Sequence, residues 1–188
     1  MRGRLAAKRC SALLVGLLLA TGAVAEMVGE NLVQGLPTGY KIVYQGEQGP
    51  IRTTEVAPEA ESPEAWTELL TTQIYLGLKS VSPAQFEAES QRKWLDACKE
   101  GKFSAIASGE EKGYPFAVWM LSCPYSKAPG RPEITWFKAL RGADNFYVVQ
   151  KAFRFEPSHE QVGLWMQYLK QISLCDSRLP ERPCPKVD

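Results

Sequence analysis

Ile134-Thr135-Trp136-Phe137-Lys138-Ala139-Leu140, then Arg141-Gly142-Ala143-Asp144, then Phe146-Tyr147-Val148-Val149-Gln150-Lys151-Ala152-Phe153-Arg154-Phe155 is the stretch that decides the fold class. Two runs rich in aromatic and β-branched residues flank a short turn containing glycine, the pattern of a β-hairpin. Alternation along 146–155 puts Tyr147, Val149, Lys151, Phe153 and Phe155 on one face, and Phe146, Val148, Gln150, Ala152 and Arg154 on the other. The first face reads as core, with Lys151 out of character. The second is mixed, and Phe146, Gln150 and Arg154 make a candidate binding face for a partner or small ligand. The competing reading is a half-exposed face with ordinary cross-strand pairs. The side that Trp136 takes depends on the register set around Gly142, because a one-residue slip exchanges the faces.

Working outward, Phe116 to Cys123 is nearly all apolar and reads as a central strand, with Phe103 to Ser108 as another strand before it. Tyr125 to Pro132 is a loop punctuated by Pro129, Gly130 and Pro132. Ser82-Pro83, with Gln85 three residues after Ser82, forms a capping box. Phe86, Trp94, Leu95 and Cys98 supply the buried side of the helix it opens, and Gly101 stops it. Ser62-Pro63 carries a similar start signal. Trp66, Leu69, Leu70, Ile74 and Leu78 then recur at three- and four-residue steps, which predicts an earlier helix.

Tyr40 to Gln45 and Ile51 to Val56 flank Gly46-Glu47-Gln48-Gly49-Pro50 and read as an N-terminal β-hairpin. Residues 26–39 read as an irregular lead-in. Pro157-Ser158, with Gln161, opens a C-terminal helix whose apolar stripe is Val162, Trp165, Met166, Leu169 and Ile172. That helix is expected to end near Cys175, before a Pro-rich tail. The order is hairpin, two helices, antiparallel strands and a closing helix. It predicts an α+β fold with helices packed against one antiparallel sheet, as a single domain over 40–188.

Residues 1–25 read as a cleavable signal peptide. Arg2, Arg4, Lys8 and Arg9 precede an apolar run from Ala12 to Ala20, and Ala23-Val24-Ala25 supplies the small residues of a cleavage site. The run is shorter than the ~20 residues of a membrane span, so no stable span is expected after cleavage. The expected location is periplasmic or secreted. Four of the 22 basic residues lie before Ala25 and all 21 acidic residues lie after it, so the mature chain is weakly acidic. With no basic cluster, nucleic acid is not an expected partner.

Four cysteines follow the export segment: Cys98, Cys123, Cys175 and Cys184. An even number in an oxidising compartment predicts disulfides. Cys175–Cys184 is favoured by the irregular tail around Pro180, Pro183 and Pro185, which leaves Cys98–Cys123 to tie a helix end to a strand. Each is worth about 2.5–3.5 kcal/mol by chain entropy. A zinc site is the rival reading, and the absence of any C-x2-C spacing opposes it.

Catalytic chemistry finds little to build on. His159 is the single histidine, in the first turn of the last helix. Ser158-His159-Glu160 does not make a triad, because adjacent helical residues point different ways and Ser158 serves as a cap. Glu110-Glu111 lie before Lys112-Gly113 in what reads as a solvated loop, and Glu87 and Glu89 do not share a helix face. No phosphate-binding loop, nucleophile elbow or H-E-x-x-H motif is present. No catalytic residue, cofactor or metal is expected.

Ser122-Cys123-Pro124, Gly130-Arg131-Pro132-Glu133-Ile134-Thr135-Trp136-Phe137-Lys138-Ala139 and Asn145-Phe146-Tyr147-Val148-Val149-Gln150-Lys151-Ala152-Phe153 resemble a family of uncharacterised exported proteobacterial proteins, from Tyr40 to Pro185. The element order also resembles the PsbP-like fold of the photosystem II extrinsic protein. That second resemblance is one of layout and implies binding to other proteins, not a reaction. The expected function is a non-catalytic periplasmic accessory or protein-binding module, with another envelope protein as partner. The alternatives are a carboxylate-dependent hydrolase and a carrier of a small ligand.

Overall fold

The computed structural model describes residues 27–125 and 130–186; the export segment expected at 1–25 lies outside them. In chain order the elements are β1 (Glu30–Val33), β2 (Tyr40–Gln48), β3 (Ile51–Pro58), β4 (Glu68–Leu76), α1 (Pro83–Ala97), β5 (Lys102–Glu111), β6 (Tyr114–Cys123), β7 (Glu133–Arg141), β8 (Asn145–Phe153), α2 (His159–Gln171) and β9 (Ser173–Asp176). Seven strands form one antiparallel sheet in the order β2-β3-β4-β8-β7-β6-β5, and β1 pairs with β9 in a separate ribbon. This is the expected α+β architecture.

The aromatic hairpin is β7–β8. Its turn closes with the Gly142 N–H donating to the Asn145 carbonyl at 2.9 Å. The register sets Trp136 opposite Lys151. Trp136 therefore joins Leu70, Leu140, Tyr147, Val149 and Phe153 in the core beneath Leu169 and Ile172 at the end of α2. The opposite face of the sheet has its own core. Ala117, Trp119, Leu121, Phe137, Ala139, Phe146 and Val148 pack beneath Phe86 and Trp94 of α1. β8 is the middle strand of the seven and is buried on both sides, whereas β6, expected at the centre, lies one strand from the edge.

Both helix starts form as the sequence predicts. Ser82 and Gln85 bond each other's backbone N–H at α1, and Ser158 and Gln161 do so at α2. Each box satisfies two N–H groups that a helix start leaves without partners. Cys98–Cys123 and Cys175–Cys184 are both bonded, the first joining the C-cap of α1 to β6.

Other expectations about the elements need correction. The helix expected from Ser62-Pro63 is β4, paired on one side with β3 and on the other with β8. A spacing of four residues fits a strand as well as a helix, because four is a multiple of two. Leu70 and Ile74 share the α2 face through that spacing, while Leu69 turns to the other side. The lead-in is not irregular throughout, since β1 lies within it. α2 stops at Gln171, and the chain to Cys175 continues as the fully buried strand β9. Glu110 and Glu111 belong to β5, and only Lys112-Gly113, both at positive φ, form the turn. Two consecutive residues at positive φ suit a tight hairpin turn.

Glu30 of β1 ties the lead-in to the central hairpin. Its carboxylate accepts the backbone N–H groups of Ala143, Asp144 and Asn145 and the hydroxyl of Tyr147 at 3.0 Å. A Cβ on Gly142 would collide with that carboxylate, so a larger residue there would push Glu30 off its donors. Burial, with Glu30 adding to it, raises the Tyr147 hydroxyl well above its usual range, which keeps it a donor. Glu30→Ala is expected to destabilise the protein by about 2 kcal/mol, since it strips a charged acceptor from partly buried donors. Chemical denaturation would check it, and an unchanged midpoint would contradict the clamp.

Phe153 is fully buried and Arg154, pointing the other way, is half-buried. Phe153→Ala should cost about 3–5 kcal/mol. Arg154→Ala should cost about 1 kcal/mol or less, as a partly exposed side chain outside either apolar core. Thermal melts of the two variants distinguish this assignment from its inverse.

Candidate functional site: a groove between the first helix and the sheet

α1 lies over β5, β6 and β7. Its apolar residues Phe86 and Trp94 cover that part of the sheet, and it leaves uncovered the part of the same face formed by β4 and the second half of β8. A groove of about 720 Å3 runs along this border. Phe86 and Trp94 of α1 and Phe137 of β7 give it apolar walls, and Gln73 of β4, Gln150 of β8 and Arg154 bring polar groups to it. Trp94 is fixed by its indole N–H, which donates to the Ser122 carbonyl at 3.1 Å, and by edge-on contact with Phe137. The Cys98–Cys123 disulfide borders the groove and holds the end of α1 against β6.

Two of the three residues of the candidate binding face stand in this groove. Gln150 donates its side-chain amide to the Gln73 amide oxygen at 3.2 Å, and the Tyr75 hydroxyl donates to the same oxygen at 3.0 Å. Arg154 lays its guanidinium on the Trp66 ring, 3.5 Å from the centroid. Its one hydrogen bond, from Nη1 to the Trp66 carbonyl, is long at 3.4 Å, and its buried Nε has no partner. Phe146 is the exception. It is fully buried, with the Phe86 ring 5.1 Å away and Tyr75 edge-on at 6.3 Å, so it belongs to the core beneath α1 and not to a binding surface.

The charges around the groove are unequal in their partners. Lys93 and Arg92 on α1 both pair with Glu89. Arg92 above all, with Lys93 adding, holds the Glu89 carboxyl down to about 2. Arg154 has no carboxylate within ion-pair distance among the described residues. A second polar atom without a partner, the Thr135 hydroxyl, is buried on β7 between Leu121 and Ala152 in the register. Gln73 and Tyr75 escape a reading of the sequence because 68–76 resembles a helix by spacing; the β-prone run Thr71-Thr72-Gln73-Ile74-Tyr75 is the signal that marks it as a strand.

A cleft of about 770 Å3 lies on the opposite side, between α2 and the chain leading into β2. Several of its polar groups are already engaged. Tyr40 donates to Glu68 at 2.6 Å, and Tyr168 donates to the Gly35 carbonyl while accepting from Gln34. Behind it lies Lys151, fully buried, donating to Glu68 at 2.8 Å and to Tyr40 at 3.1 Å. The Trp165 ring sits 3.9 Å from its ammonium and Phe153 4.6 Å. Lys138 on the same face donates to Glu111 at 3.0 Å and to the Ile172 carbonyl at 2.6 Å, at the negative end of α2. Neither lysine is open to a ligand. His159, Ser158 and Glu160 stand exposed in the first turn of α2, with Ser158 used as its cap.

Burial pushes the Lys151 ammonium down to about 8, with Glu68 opposing the shift. The unfolded chain, with an ordinary lysine near 10.4, holds that proton at pH values where the folded chain has released it. Stability contributed by this group therefore rises with pH across that window. The stability of the wild type relative to Lys151→Met should increase by about 2 kcal/mol between pH 8 and 10. At pH 7 Lys151→Met should still cost about 3 kcal/mol, because it breaks a buried pair and leaves Glu68 without its cation. Denaturant titrations of both proteins across this range check the slope, and a flat difference would contradict it.

Among the described residues, no helix is long and apolar enough to cross a membrane, and no group of three or more His, Cys, Asp and Glu side chains is placed to hold a metal ion. No family model matches the chain, and no curated protein matches it. Among solved structures it is similar to the Ran-binding protein Mog1p of Saccharomyces cerevisiae, with 11% identity and a TM-score of 0.41 over 76% of this chain and 85% of that one.

Proposed function

We propose that the protein is an exported, non-catalytic binding module, periplasmic or secreted, that carries a small ligand in the groove beside α1. The observation that carries this reading is the groove itself, with apolar walls from Phe86, Trp94 and Phe137 and the polar groups of Arg154, Gln73 and Gln150 on its lining. The groove's volume falls in the range of small-molecule sites, which favours a ligand over the broad surface of an envelope protein. Two disulfides fit the oxidising compartment that the export segment implies. The hydrolytic reading is weaker. Glu89 at the groove is locked to two cations, and the more buried Glu68 and Glu111 are each paired with a lysine.

The test is native mass spectrometry of the mature protein released gently from its own compartment. An added mass is expected on the wild type and its loss from Ala97→Trp, which fills the groove from the exposed end of α1. The melting temperature of the unliganded variant should stay within a few degrees of the wild type. An added mass that survives the substitution would place the ligand elsewhere. A bare protein that also fails to bind any member of a diverse metabolite collection would remove the carrier function.

A further inference from the structure

Building on that reading of the groove, we infer that its ligand is a neutral, flat aromatic molecule with a lactam edge, an N–H beside a carbonyl, and that Gln73 and Gln150 are the pair that reads this edge. Charge gives no preference for an ion. The lining carries two carboxylates, Glu89 and Glu133, and two cations, Lys93 and Arg154, with Lys93 paired to Glu89 across one turn of α1. An anion and a cation would each meet a like charge as well as an opposite one, and each would give up its own hydration. The aromatic walls of Phe86, Trp94 and Phe137 suit a ring, packed offset or edge-on.

The two glutamines supply the selective half. Gln73 lies opposite Val148 in the register, so it stands diagonally from Gln150 on the neighbouring strand and on the same face. The Gln73 amide oxygen accepts from Gln150 Nε2 at 3.2 Å and from the Tyr75 hydroxyl at 3.0 Å. An amide oxygen has two lone pairs, so this one is filled. Its two donors fix the orientation of both amides. Gln73 Nε2 and Gln150 Oε1 are the ends left over, and among the described residues no protein group bonds to either. Both of these atoms are open to solvent, unlike Arg154 Nε. One amide therefore offers a donor and the other an acceptor, beside each other on the groove lining. A lactam edge carries the complementary acceptor and donor side by side, so one flat group meets both. A lactone of the same shape has a ring oxygen in place of the N–H and sets a second acceptor against Gln150 Oε1. The site thus discriminates by a mismatched hydrogen bond, which outweighs the gain from one more apolar contact.

The experiment uses the mature, oxidised protein near neutral pH and three probes of one ring skeleton: phenanthridinone, its N-methyl derivative and the corresponding lactone. Calorimetry and tryptophan fluorescence report binding. The lactam is expected to bind about tenfold more tightly than the lactone, and the N-methyl derivative no more tightly than the lactone. Phenanthridinones bearing a carboxylate or an aminomethyl group should both bind less tightly than the parent. Gln73→Met and Gln150→Met each remove one half of the pair at nearly constant volume. Each should bring the lactam to the affinity of the lactone and leave the lactone unchanged, and either serves if the other fails to fold. Ala97→Trp should abolish binding of every probe. Equal affinity for lactam and lactone would overturn the amide reading and leave the groove as an apolar carrier site. Tighter binding of a charged analogue would overturn the neutral ligand. A lactam preference that survives both methionine variants would overturn the role of the glutamine pair, and binding untouched by Ala97→Trp would overturn the groove itself. No binding of any probe would overturn the flat lactam, with the co-purified mass still deciding whether the groove carries something else.

Discussion

The ammonium of Lys151 lies on the middle strand of a sheet that is covered on both faces, and the α2 side of the molecule is organised around satisfying it. A buried charge is tolerated only when it is paired and hydrogen-bonded. Glu68 from β4 and Tyr40 from β2 meet that demand, and Trp165 from α2 closes over the remaining side. One side chain on β8 thereby sets the positions of two strands and a helix relative to each other. Lys138 has a related role on the neighbouring strand, joining β7 to Glu111 and to the carbonyl end of α2. The helix is held by two lysines of the sheet, one beneath its middle turns and one at its terminus.

The same logic extends to the chain termini. Glu30 brings the lead-in to the β7–β8 turn, and β1 then pairs with β9, which follows α2 directly. Asp176 at the end of β9 is buried and bonded by Arg178, which holds its carboxyl below the usual range and itself reaches Asp144 beside the turn. The Cys175–Cys184 bond fastens the tail that carries Arg182, and Arg182 lies over the Tyr114 ring. Segments from opposite ends of the described chain are thus gathered around one hairpin turn. The two outer strands of the sheet, β2 and β5, each carry a bulge, at Ile42/Tyr44 and at Ala105/Ala107. Bulges of this kind twist an edge out of register with a second strand and protect it from pairing with another chain.

The two faces of the sheet differ in how completely their polar groups are met. On the α2 side both lysines are bonded to carboxylates and both are nearly inaccessible. Buried polar atoms without partners are more numerous on the α1 side, where they are the Trp119 indole nitrogen, the Thr135 hydroxyl and Arg154 Nε, than on the α2 side, where the Tyr114 hydroxyl is one. The difference follows from coverage. α1 packs its aromatic residues over the apolar half of its face and stops short of the half that holds Gln73, Gln150 and Arg154. The α1 side thus keeps more of its polar groups unmet, while the lysine pairs of the α2 side hold that helix in place.

The two capping boxes, the β7–β8 hairpin and its glycine turn, and the pairing of Cys98, Cys123, Cys175 and Cys184 were legible in the sequence. The hairpin and both boxes stand in the structure, as do both cysteine pairings; each depends on residues close along the chain or on elimination among few candidates. Alternation along β8 also separated Phe153 from Arg154 correctly. What alternation could not tell is what lies above each face. Phe146 and Arg154 share a side of the strand, yet one is sealed under Phe86 and the other borders an open groove, because α1 covers only a portion of that side. The identity of β4 was likewise undecidable locally, since apolar residues four apart suit a helix and a strand alike, and hydrogen bonds from β3 and β8 decided it. Local signals are settled by a few neighbouring residues and survive any context. Strand partners and burial are settled by groups brought from elsewhere in the chain, and only the tertiary structure supplies them.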